Sequence, residues 1–194
     1  MDELKAFLEL TVMLVTDPRT VVLFTLLIVA AVIDVRSHRI PNWLTVSGLV
    51  FGLVYSACVP FWRGHGFLWA LGGAAIGFAV LFPMWLLRMM GAGDVKLMAM
   101  VGSLLGVQAL LPALAGTLIA GSIFAIGYSL RHGKLRHMLT NVGRILRSNS
   151  VAVAAGIPLS ISAGGWESVG KLAFALPMAT GTIATVVATH FGFL

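Results

Sequence analysis

Charge is scarce in this sequence. Only 10% of its 194 residues are Asp, Glu, Lys or Arg, 59% are hydrophobic, and the mean hydropathy is +0.99. A water-facing domain carries about 25% charged residues, so this chain cannot cover a solvated surface. That excludes an ordinary globular protein, and the apolar excess excludes a disordered one. Cysteine is nearly absent too. The single Cys58 permits no internal disulfide and no multi-cysteine metal site, and its apolar surroundings read as packing. Acids are scarcer than bases: seven, against thirteen Lys and Arg, for a net charge of +6 and a pI of about 10.3. In a soluble protein such a balance points to nucleic acid. In a membrane protein it belongs to cytoplasmic loops, so the expected partner is the lipid bilayer and no nucleic acid is expected.

What is present is apolar length. A bilayer core about 30 Å thick takes roughly 20 residues of helix. Span 1 is expected over Thr20–Val35, span 2 over Trp43–Phe61 after the helix-start signal Pro41-Asn42, and span 3 over Phe67–Leu87. Leu97–Leu130 is uncharged and would run about 51 Å as one helix. It is therefore split at Gly102, Gly106, Gln108 and Pro112 into a short span 4 (Asp94–Leu105) and span 5 (Ala109–Leu130). Leu172–Leu194 gives span 6. Residues 1–19 read as an interfacial helix or an early extension of span 1, since Ala6–Thr16 is too short to cross and Asp2 and Glu3 have the wrong sign for a cleavable signal. Residues 148–166, rich in Ser, Gly and Pro, read as loop, re-entrant segment or a seventh span within a basic region over 131–171. The fold expected is an all-α bundle of about six transmembrane helices, forming one domain over 1–194.

Basic residues orient the bundle. Arg36, Arg39, Arg88, Lys96, Arg131, Lys134, Arg136, Arg144, Arg147 and Lys171 fall on one side, and Lys5, Arg19 and Arg63 on the other. The richer side faces the cytoplasm. Trp43, Trp62, Trp69 and Trp85 lie near span ends, as interfacial anchors do. Gly48 and Gly52, Gly73 and Gly77, and Gly102 and Gly106 have the spacing that lets helix backbones approach.

Two acids stand in the wrong solvent. Four of the seven lie near the N-terminus and Glu167 sits in a polar stretch, leaving Asp34 at the end of span 1 and Asp94 at the start of span 4. An Asp within a span costs about 2.5–3.5 kcal/mol on insertion scales. Separately each has a local explanation. Asp94 reads as a helix cap, and Asp34 as a partner of Arg36 or Arg39. Together they fall on one side at similar depth, and that conjunction points to chemistry. Two close carboxylates can hydrolyse an amide without a metal. One, ionised, takes a proton from the attacking water, and the other, protonated, donates to the carbonyl oxygen. Like charges at short range leave one proton shared. The negative end of span 1 suggests Asp34 as the acid, and the positive end of span 4 suggests Asp94 as the base. Gly91 and Gly93 are expected to let the backbone turn sharply and a substrate strand come close.

The segment Asp34-Val35-Arg36-Ser37-His38-Arg39-Ile40-Pro41-Asn42 resembles the first active-site segment of type IV prepilin peptidases. Gly91-Ala92-Gly93-Asp94-Val95-Lys96-Leu97 is similar to their second, the GxGD-type motif followed by Lys-Leu. Residues 173–181 are similar to the Pro-and-Gly pattern of their last helix, so the likeness runs from about Val21 to Val187. It implies a membrane aspartic endopeptidase of the inner membrane. The implied substrates are prepilins or pilin-like proteins cut at the cytoplasmic face, with Asp34 and Asp94 as the catalytic pair. Long bacterial members also carry a cysteine-paired zinc domain and N-methylate the product. This chain has neither that insertion nor those paired cysteines. It resembles the short forms of Flp (Tad) pilus systems or the archaeal preflagellin peptidases, which implies cleavage without methylation and no cofactor.

Lys96, Pro41 and Asn42 are further candidates for the active-site loop. Lys96 reads either as a hydrogen-bond donor to the dyad or substrate, or as a cation reaching the headgroups. His38 reads as a loop residue, and the histidines show no ligand spacing, so no metal is expected. The basic 131–147 cluster suits anionic lipid or pilus-assembly partners. Two other classes compete with the peptidase. One is an ion-coupled transporter or channel, whose acids belong near the midplane at broken helices. The other is a non-catalytic scaffold of a pilus or secretion machine. Presenilin-type proteases share Gly-x-Gly-Asp, but their first Asp follows Tyr, whereas Ile33 precedes Asp34 here.

Overall fold

The computed structural model describes residues 17–59, 66–86, 90–133 and 173–192, with isolated helical positions at 136, 140 and 143. The expected N-terminal interfacial helix, most of the basic loop, and the segment 148–166 lie outside the described residues. Five helices, and among the described residues no strand, make up the rest: α1 Pro18–Ser37, α2 Asn42–Cys58, α3 Phe67–Leu86, α4 Ala92–Arg131 and α5 Ala175–His190. α1, α3 and α4 are long and apolar enough to cross a membrane, and α2 is apolar but shorter, at 17 residues.

α1 starts at Pro18, two residues before the expected start, because Asp17 caps it. Its carboxylate accepts from the Arg19 N–H at 3.2 Å and from the Thr20 hydroxyl at 3.0 Å. It stops where His38 turns left-handed (φ 49°) and its N–H closes on the Asp34 carbonyl at 2.8 Å. Along α1 the buried residues Leu23, Leu27, Ala30, Ala31 and Asp34 recur at helical spacing. Asp34 therefore ends the stripe that faces the bundle.

α4 is not one rod. Gly106 holds φ 69°, ψ −179° in mid-element, a conformation nearly confined to glycine. The halves on either side of it pack on different helices. Before it, Gly102 touches Gly73, and Gly77 lies on the Met98 carbonyl, so this half runs antiparallel to α3. After it, Thr185 bonds the Pro112 carbonyl at 3.4 Å and Gly121 faces the Phe174 ring at 3.4 Å, so the second half runs antiparallel to α5. The start of α5 lies beside Asp34, so the chain must double back at Gly106. The expected break is present, and of the four residues offered for it, Gly106 carries it. Pro112 sits inside the second rod.

The first rod, residues 92–105 and about 21 Å long, is the axis of the bundle. Val95, Leu97, Met98, Met100, Val101 and Leu104 are all buried. Glycines allow the other helices to close on it. A Cβ on Gly73 would overlap the Gly102 carbonyl, and one on Gly52 would come within 2.6 Å of the Ser103 hydroxyl. At the end where α4 doubles back, Trp69 lies on Gly106, and the Arg19 guanidinium stacks 4.9 Å from the Tyr55 ring and 5.2 Å from the Trp69 ring. Trp69 is thus a packing residue over the turn rather than a free anchor, whereas Trp43 and Trp85 are exposed. α5 begins three residues later than expected, at Ala175.

Candidate active site

Asp34 and Asp94 come to the same end of the bundle, one from the last turn of α1 and the other from the first turn of α4. Arg36, Arg39 and Lys96 surround that end and are all exposed. The two carboxylates lie near enough for their charges to repel.

Each carboxylate is held by a backbone amide. Oδ2 of Asp34, which is only 5% exposed, accepts from the Ala175 N–H at 2.9 Å. The first amides of a helix have no partner within it, and Asp34 supplies one for α5 across 141 residues. The local reading of Asp34 as a partner of Arg36 or Arg39 gives way to this hydrogen bond to the backbone of α5, and both arginines are exposed. Asp94 is the third residue of α4, after Gly91 at the N-cap, and its Oδ2 accepts from the Gly91 N–H at 3.1 Å. The local capping reading of Asp94 is therefore real. Each carboxylate keeps oxygen lone pairs beyond these bonds.

The helix-end argument for separating acid from base does not survive this geometry. Asp34 sits at the C-terminal end of α1 but also against the N-terminal amide of α5, and Asp94 sits at the N-terminal end of α4. Both face a positive helix end, so dipoles do not distinguish them.

The remaining loop candidates divide into two contacts. The Lys96 ammonium donates to Oδ1 of Asn42 at 3.0 Å rather than to either Asp. Ile40 rests on Gly93, where a Cβ would lie 3.1 Å from the Ile40 Cβ. Pro41 caps α2 with its carbonyl, which accepts from the Leu44 N–H at 3.2 Å. Gly91 differs from expectation. Its φ of −77° is open to any residue and a Cβ there meets Asp94 at an ordinary 3.4 Å, so the turn does not require glycine. Gly93 is needed for closeness to Ile40, not for backbone freedom.

The Ala175 amide escaped the sequence reading because backbone donors leave no side-chain signature. Pro177 was the available signal. A proline in the first turn marks a helix start just ahead of it.

The chain is similar to the prepilin leader peptidase/N-methyltransferase of Xanthomonas campestris pv. campestris, with 29% identity over 123 residues. That alignment covers 60% of this chain and 42% of the relative, so the chain spans less than half the length of the protein it matches. No solved structure matches it. The profile of the type IV leader peptidase family matches residues 21–126, which take in Asp34, Asp94 and the loop between α1 and α2, and the chain belongs to that family.

Proposed function

We propose that this protein is a membrane aspartic endopeptidase of the inner membrane. It removes the leader of prepilin or pilin-like substrates at the cytoplasmic face, using Asp34, Asp94 and a water. The observation that carries the reading is the convergence of these two acids, remote in sequence, at the arginine-rich end of a bundle otherwise nearly free of acids. Family membership supports the peptidase class. In the proposed reaction the pair holds one proton. The ionised carboxylate takes a proton from water as its oxygen attacks the scissile carbonyl carbon. The protonated carboxyl donates to the carbonyl oxygen, and collapse of the tetrahedral species sends a proton to the departing amine. Gly91, Gly93, Pro41, Asn42 and Lys96 form the loop region where the substrate strand approaches. The chain is one domain crossing the membrane six times, with α4 supplying two crossings. The position of the acids at a bundle end, not at its middle, disfavours a carrier site. Cleavage proceeds without N-methylation, in keeping with a chain that has one cysteine.

Co-expression with a candidate prepilin, followed by mass measurement of the product, tests the proposal. Wild type is expected to remove a short leader, and Asp34→Asn and Asp94→Asn each to slow removal by at least about 100-fold. Leader removal by both variants at the wild-type rate would eliminate the reading, and a methylated product would eliminate its second part.

A further inference from the structure

Lys96 is placed where neither simple role explains it. A lysine in the second turn of a helix meets the positive end of the helix dipole and gains nothing from it. A lipid anchor would extend its ammonium to the headgroups. Instead Nζ reaches Oδ1 of Asn42, 54 residues away and the first residue of α2. On the other side of Pro41, Ile40 lies on Gly93. The segment 38–42 is therefore fastened to the first two turns of α4 at two points. It is also stiff, since Pro41 fixes φ at −69° and the His38 N–H is tied to the Asp34 carbonyl. Asp34 lies one turn before this loop, and Asp94 lies between the two α4 residues that hold it.

We infer that Lys96 is a positioning residue, whose hydrogen bond to Asn42 locks the start of α2 to the N-terminal end of α4 and thereby sets the separation of Asp34 and Asp94. Two positions along a helix is about 200° around its axis, so Lys96 is turned away from Asp94 and acts through Asn42 and the loop. The kinetic consequence rests on the proposed role of the dyad, but the geometric one does not.

Both arms use the whole chain in a Cys58→Ser background. Spin labels at Ser37→Cys and Ala92→Cys, both exposed positions, report the distance between the end of α1 and the start of α4 through their dipolar coupling. Lys96→Met and Asn42→Ala are each expected to broaden that distribution, the double variant to broaden it no further, and Lys96→Arg to keep it narrow. In the cleavage assay, without labels, Lys96→Met and Asn42→Ala lower kcat by about tenfold to a hundredfold with KM held within about twofold. Lys96→Arg retains most of the rate. An unchanged distribution in Lys96→Met, or effects of the two substitutions that multiply, overturns the inference. Failure of wild type to cleave overturns the proposed function instead, and the distance arm still decides whether the Lys96–Asn42 bond positions the two helix ends. If Lys96→Met fails to accumulate, Asn42→Ala and Lys96→Arg carry the same test.

Discussion

The Asp34 carboxylate accepts an amide of α5 that helix geometry leaves without an internal partner, so different substitutions there separate structure from chemistry. Asparagine keeps an acceptor oxygen for Ala175 and alanine keeps none. Asp34→Ala is expected to lose about 1–3 kcal/mol of stability relative to Asp34→Asn, because a buried N–H is orphaned, while both are equally inactive. Thermal unfolding in detergent, paired with the cleavage assay, checks this. Equal stability of the two variants would mean that the Ala175 bond is not a fixed feature. Asp17 is a simpler case. Its side chain caps α1 and stands far from the acids, so Asp17→Ala should cost about 1 kcal/mol without altering cleavage.

Among the elements, the folded-back α4 depends on one residue. Gly106 combines a conformation that side chains avoid with the Trp69 ring lying on it. Gly106→Ala should cost about 1–3 kcal/mol from backbone strain alone, and more from displacing Trp69, lowering the unfolding midpoint. Pro112→Ala, inside the second rod, should be far milder. Hydropathy made the spans legible because apolar length is a direct physical requirement of the bilayer. The need for a break in Leu97–Leu130 was legible for the same reason, since no bilayer accommodates about 51 Å of helix. Which residue breaks it was not. That depended on Trp69 and Gly73 arriving from α3, and contacts across the bundle leave no local pattern. The late start of α5 was hidden likewise. Leu172 and Ala173 are as apolar as the helix that follows, and the boundary is set by an amide facing Asp34. The two acids stood out because a charge in an apolar run needs a reason, whereas the Lys96–Asn42 pair joins two residues each unremarkable in its own segment.

For the whole molecule, the distribution of basic residues makes a topological statement. Arg36, Arg39, Lys96 and Arg131 gather at the end that carries Asp34 and Asp94, while Arg19 marks the other end beside Trp69. With the basic end inward, the exposed native Cys58, at the end of α2, faces outward. A membrane-impermeant maleimide should label Cys58 in intact cells whose outer barrier has been opened. Ser37→Cys in a Cys58→Ser background should label only in inverted vesicles. The reverse pattern would invert the orientation.

In the proposed reaction Asp34 and Asp94 act as a single unit, and the cleavage rates of both single Asn variants and of the double variant decide whether they do. Groups that act together are non-additive, so each single variant should lose at least about 100-fold and the double variant no more than either. Losses that multiply in the double variant, or a single variant cleaving at the wild-type rate, would contradict it.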